Sequence, residues 1–139
     1  MPIKVEGVTT LIQVFDMPTS LAFYRDVLGF EIVMRSGPGD DFDWGFLRLD
    51  GAALMLNTAY EKETRPAKPD PSTMLAHNDT GFFFTADPDA AYEHLRSKGI
   101  EVLPPKVAPY GMKQLYLKDP DGYVICFQCP DGESETPDV

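Results

Sequence analysis

One pattern occurs twice in this chain, and the repeat restricts the possible folds more than any other feature. Asp16-Met-Pro-Thr-Ser-Leu-Ala-Phe-Tyr-Arg-Asp-Val-Leu-Gly29 leads into Phe-Glu-Ile-Val. Asp87-Pro-Asp-Ala-Ala-Tyr-Glu-His-Leu-Arg-Ser-Lys-Gly99 leads into Ile-Glu-Val-Leu. At both places an Asp can accept hydrogen bonds from free amides at a helix start, and a Pro suits the first turn. Leu21, Tyr24 and Leu28 fall on one helical face, as Ala91 and Leu95 do in the second copy. Gly29 and Gly99 suit the left-handed position that follows a helix. A second landmark agrees: Phe46-Leu-Arg-Leu-Asp-Gly51 and Leu115-Tyr-Leu-Lys-Asp-Pro-Asp-Gly122 each read as strand and tight turn before a further strand. Asp16 to Asp87 and Gly51 to Gly122 share one offset, 71 residues.

Strands are expected at 7–14, 30–36, 44–49 and 53–57 in the first copy, and at 81–86, 101–107, 113–118 and 123–128 in the second. The fold class is therefore α+β: two tandem β-α-β-β-β units forming a cup-shaped mixed β-sheet with helices on its outer face. A chain of 139 residues holds one domain of this kind. It divides into repeat one (5–58), a linker (59–79), repeat two (80–129) and an acidic tail (130–139). The linker is polar, carries Pro66, Pro69 and Pro71, and reads as a flap or an arm. The tail reads as disordered.

The net charge of −10 argues against nucleic acid and anionic membranes as partners, since both need a basic face. It is compatible with a cationic or neutral small ligand. Cys126 and Cys129 form a C-x-x-C pattern, but within a strand, where residues three apart point to opposite faces. Thioredoxin-type chemistry would need them at a helix start. No run of eighteen apolar residues and no leader pattern is present, so a cytoplasmic location is expected.

The first copy carries D-x-x-x-S-x-x-F-Y-x-x-x-L-G-F (Asp16, Ser20, Phe23, Tyr24, Leu28, Gly29, Phe30) and the second carries Asp119-Pro-Asp-Gly122. With the repeat, these motifs resemble the vicinal oxygen chelate superfamily of glyoxalase I, extradiol dioxygenases, fosfomycin-resistance enzymes and bleomycin-resistance proteins. The resemblance runs from about Val5 to Phe127. It implies a divalent metal held by His and Glu on strands one, four, five and eight. Here those positions fall on Thr9, Met55, Gly81 (Phe82 if the count slips by one) and Cys126. Threonine, methionine, glycine and cysteine do not together make a site for a hard divalent ion. The two histidines, His77 in the linker and His94 in the second helix, read as surface residues. No metal and no other cofactor is expected.

Strand alternation assigns the cup lining. Thr9, Leu11 and Gln13 come from strand one, Trp44, Phe46 and Arg48 from strand three, and Met55 and Asn57 from strand four. The second copy adds Phe83 and Thr85, Gln114 and Tyr116, and Val124, Cys126 and Gln128. The ligand-binding candidates are Thr9, Gln13, Trp44, Phe46, Arg48, Met55, Asn57, Phe83, Tyr116 and Cys126. Aromatic side chains beside a few polar groups suit a flat or amphipathic organic molecule. No Ser-His-Asp set or carboxylate pair projects into the cup, so no catalytic residue is assigned.

Three functions are compatible with these residues. The first is a metal-independent protein that sequesters an aromatic or cationic drug or metabolite, as the bleomycin-resistance branch implies for antibiotic resistance. The second is a metal-dependent lyase or dioxygenase of the same superfamily, and the third an interaction domain without a ligand. The resemblance also implies a homodimer, in which the two units pair within one chain or exchange between chains.

Overall fold

The structure is a computed structural model and describes residues 2–131. It divides into two compact units, Met1–Lys68 and Pro69–Val139. The first contains β1 (Thr10–Val14), α1 (Met17–Tyr24), β2 (Glu31–Arg35), β3 (Trp44–Leu49) and β4 (Ala52–Thr58). The second contains a short α2 (Leu75–Asn78), then β5 (Gly81–Thr85), α3 (Pro88–Ser97), β6 (Lys106–Val107), β7 (Met112–Lys118) and β8 (Val124–Pro130). Each unit is thus β-α-β-β-β around one four-stranded mixed sheet, ordered β1-β4-β3-β2 and β5-β8-β7-β6. The first strand of each sheet runs parallel to the last and the remaining pairs are antiparallel. The α+β class and the tandem repeat are therefore as expected.

The local signals act as the sequence implies. The Asp16 carboxylate accepts from the Thr19 amide at 2.8 Å, and the Asp87 carboxylate from the Asp89 amide at 2.9 Å. In α1, Met17, Ser20, Leu21 and Tyr24 are buried, which is one stripe of a 3.6-residue period. They share the core of the first unit with Ile12, Val14, Leu47, Leu54 and Leu56. In the second unit Leu95 of α3 is buried along with Leu115, Ile125 and Phe127. Gly99 takes positive φ, 77°, directly after the Lys98 cap of α3, whereas α1 ends at Tyr24, so Gly29, at φ 99°, follows a further turn and Leu28 lies beyond the helix on which it was expected. Arg25 forks between Asp26 and Asp40, with N–O distances of 2.8 to 3.2 Å, and ties the loop before β3 to the end of α1. The Asp26 carboxylate first, then Asp40, holds the Arg25 proton more tightly than usual, and Arg25 makes Asp40 more acidic.

Four expectations about the extents of segments need correction. The first strand begins at Thr10 rather than residue 7, because its ladder with β4 opens at the Thr10–Leu54 pair. The sixth strand, expected at 101–107, is only Lys106–Val107. Pro104 and Pro105 have no amide hydrogen to donate, so no ladder can extend back through them. Residues 59–79 are not one free linker. Their first part stays with the first unit, where Arg65 and Lys62 both reach Asp41, and their second part folds into the second unit. Finally, Pro130 ends β8 instead of opening a tail, and the rest of the expected tail, from 132, lies outside the described residues.

The second part of that segment is anchored on the turn between β7 and β8. The His77 ring stacks on Tyr123 with centroids 4.1 Å apart and planes 15° from parallel. Its Nδ1 lies 2.8 Å from the Asp121 carbonyl, so that nitrogen carries the proton. The Tyr123 hydroxyl then donates to Nε2 across 3.1 Å. His77 is therefore a half-buried structural residue and not the surface residue expected, whereas His94 is exposed on α3. Lys118 Nζ donates to Asn78 Oδ1 at 3.0 Å, and the Val124 amide to the Thr80 carbonyl at 2.9 Å. Among the described residues no helix is long and apolar enough to cross a membrane.

Candidate functional site

Each sheet has one face covered by its helix and one open face. In the first unit, cross-strand register sorts the open face into rows. Leu11, Met55, Phe46 and Met34 form a continuous row across all four strands. On one side of it Gln13, Asn57 and Trp44 stand in register. On the other side Ala53, Arg48 and Glu31 do. Thr9 precedes β1 and is half-buried. The row is apolar and partly or wholly exposed: Leu11 has 52% and Met34 58% of its surface accessible. Arg48 extends over Phe46, its guanidinium carbon 5.7 Å from the ring centroid.

The first-unit candidates Gln13, Trp44, Phe46, Arg48, Met55 and Asn57 are thus neighbours on one face. Met34 was missed. A β-bulge between Ile32 and Met34 puts an extra residue, Val33, into β2, so simple alternation places Met34 wrongly. Trp44 is fixed through its backbone: its amide donates to Ser36 Oγ at 3.0 Å, and its carbonyl accepts from the Ser36 amide at 2.9 Å.

In the second unit Phe83, Cys126 and Tyr116 form the corresponding row. The Phe83 and Tyr116 rings flank Cys126 and meet edge to face, centroids 6.1 Å apart. Cys126, between them, has no exposed surface, the one candidate of the ten so placed. Burial raises the Cys126 pKa above its usual value, against smaller opposing hydrogen bonds from Tyr116 and the Leu115 backbone. The Tyr116 hydroxyl is pushed up to about 12, by desolvation first and then by Cys126 and Tyr110. Cys126 is therefore a protonated, covered thiol. Cys129 pairs with Lys113 and points to the other face, so the C-x-x-C thiols diverge. Gln114, beside this row, is occupied internally: its Nε2 donates to Tyr110 Oη and to Gln128 Oε1, both at 2.8 Å.

The register also fixes the position equivalent to Thr9. Thr9 stands two residues before Leu11, the partner of Met55, and Gly81 two before Phe83, the partner of Cys126. Phe82 pairs with Ile125 and lies on the helix side. The side chains at these positions, from either unit, are a hydroxyl, a thioether, a hydrogen and a covered thiol. They do not fit a hard divalent metal, which takes carboxylate and imidazole donors. Among the described residues no three His, Cys, Asp or Glu gather into a metal-binding group.

The profile of the glyoxalase/bleomycin resistance protein/dioxygenase superfamily matches residues 8–127. Among solved structures, the bleomycin resistance determinant encoded on transposon Tn5 is similar to this chain at 21% identity and a TM-score of 0.68. That match covers 94% of this chain and 100% of the other. A glyoxalase/bleomycin resistance protein/dioxygenase from Nocardioides matches at 21% identity and 0.65, covering 99% and 92%. A lactoylglutathione lyase from Agrobacterium tumefaciens matches at 21% identity and 0.62, covering 94% and 96%. At these identities the structures speak for the fold alone. No curated protein matches the chain. The profile spans most of the chain and both repeats, and the chain belongs to the glyoxalase/bleomycin resistance protein/dioxygenase superfamily.

Proposed function

We propose that this chain binds a small aromatic molecule without a metal and without transforming it. The observation that carries this reading is the row Leu11, Met55, Phe46 and Met34, an apolar platform bordered by Trp44, two amides and Arg48. Flat apolar surface with a few directional polar groups at its edge is how organic ligands are held. The donor set at Thr9, Met55, Gly81 and Cys126 supports metal independence on chemical grounds. The covered thiol of Cys126 supports binding over covalent chemistry, since the thiolate is the reactive form. Sequestration is the corresponding activity, as a resistance protein would use it, in the cytoplasm.

A homodimer is part of the proposal. β1 is a sheet edge, and the segment leading into it exposes Ile3, Val5 and Val8 at 86%, 72% and 90%. Such an edge is a template for a further strand. Sedimentation equilibrium showing only monomer at micromolar concentration would remove this part.

The test of binding uses paired variants. Trp44→Ala and Phe46→Ala should each weaken binding of aromatic compounds in a thermal-shift panel, with a smaller effect on the unliganded melting temperature. A ligand at about 100 times its dissociation constant adds about 2.7 kcal/mol, a shift of several degrees. A panel without any shift, or shifts equally large in both variants, would refute the site.

A further inference from the structure

The charges of this chain are segregated by element. The sequence has 22 Asp and Glu against 12 Lys and Arg, yet Glu31 is the one carboxylate in any described strand. Arg35, Arg48, Lys106, Lys113 and Lys118 are strand residues. Strand propensity does not explain this, because Asp, Glu and Lys are all depleted in strands. Among the described residues the other carboxylates lie in the helices, turns and loops, and the expectation of a cationic ligand rested on the total.

On the open face of the first unit the sign is reversed at the platform. Arg48 is exposed, stands two residues from Phe46 on the same face, and makes no ion pair among the described residues. Residues two apart on a strand face are separated by about 7 Å, and neighbouring strands by about 4.8 Å. The Arg48 guanidinium carbon already lies 5.7 Å from the Phe46 ring centroid, so an aromatic resting on the row beside Phe46 would bring a substituent on its Arg48 side within reach of the guanidinium. A guanidinium presents a planar fork that matches a carboxylate in two hydrogen bonds. A cation in the same place would be repelled by Arg48. Glu31, opposite Arg48 in register, is the only carboxylate on that face's strands and is not paired with Arg48.

We propose that the ligand of this face is a flat aromatic carboxylate, its rings on Met34, Phe46 and Met55 and its carboxylate on Arg48. This rests on the binding reading above and names the class of molecule bound. The full-length protein is titrated with three near-isosteric probes: 2-naphthoate, 2-naphthalenemethanol and 2-naphthylmethylammonium. Binding is followed through the Trp44 indole and the Met34 and Met55 methyl resonances. Naphthoate should bind about tenfold more tightly than the alcohol, and the ammonium more weakly than both, the scale of one partly screened charge contact. Arg48→Ala should remove the discrimination between acid and alcohol, Glu31→Gln should strengthen naphthoate binding, and Lys98→Ala, on the second unit, should leave the ranking as it is.

Equal or tighter binding of the ammonium overturns the charge assignment while leaving aromatic binding standing. Loss of discrimination in Lys98→Ala also overturns it, since total charge would then be the cause. No shift of these resonances with any of the three probes overturns the binding reading itself.

Discussion

Replacing Gly122 by Ala tests whether the second-unit turn holds the preceding segment in place. Gly122 has φ +91°, a conformation that costs an L-residue about 1–2 kcal/mol. A Cβ there would lie 2.9 Å from the Pro71 carbonyl oxygen and 3.0 Å from Asn78 Oδ1. The first obstacle is backbone, so the 71–78 segment must shift, weakening at least one hydrogen bond worth about 1 kcal/mol. The lower entropy of an unfolded chain with Ala returns about 0.4–1 kcal/mol. The net loss expected is about 2 kcal/mol. Gly51, its counterpart 71 residues earlier, is the matched control. It meets nothing within 4 Å and has no positive φ, because Asp50 takes the left-handed position of that turn at φ 49°. Gly51→Ala should change stability by less than about 0.5 kcal/mol. Urea unfolding measures both, and hydrogen exchange at the Val124 amide, which donates to Thr80, reports on the segment itself. Equal effects of the two substitutions would refute the anchoring.

Two further predictions concern buried groups. Ser20 Oγ is buried without a hydrogen-bond partner among the described residues, so Ser20→Ala should stabilise by about 0.5–1 kcal/mol; a loss measured by urea unfolding would show the hydroxyl to be satisfied. Iodoacetamide at neutral pH should label half-buried Cys129 well before covered Cys126, and peptide mapping that finds Cys126 modified first would contradict its burial between Phe83 and Tyr116. The two raised pKa values have one sign. The protonated forms are favoured by folding, so their contribution is complete below the ordinary values of 9.0 and 10.0 and is lost as pH rises through the folded ones. Stability should fall more steeply above about pH 10 in the wild type than in Tyr116→Phe, and parallel curves would dismiss the Tyr116 part.

The repeat was legible because its signals are local: a capping Asp, a Pro in the first turn, an apolar stripe and a glycine after the helix all act within a few residues. Face assignment was legible where strands are regular, as at Gln13, Phe46, Arg48 and Met55. Met34 was left out because β2 was given no face, and its bulge, set by pairing with the neighbouring strand, leaves no mark in the periodicity. The length of the sixth strand could have been read from Pro104 and Pro105. The role of His77 could not, since its partners Asp121 and Tyr123 are more than forty residues away in sequence. The turn glycines show the same limit. Gly51 and Gly122 occupy equivalent places in the repeat, yet only one carries the left-handed backbone.

Metal-independent binding is the central claim, and one titration tests it most directly. Protein stripped with a chelator, and the same protein re-equilibrated with Ni, Zn, Mn or Fe, are each titrated with 2-naphthoate while bound metal is quantified. The account predicts the same dissociation constant in every sample and metal well below one equivalent per chain. Binding that appears only after metal is restored, with one equivalent retained, would contradict it.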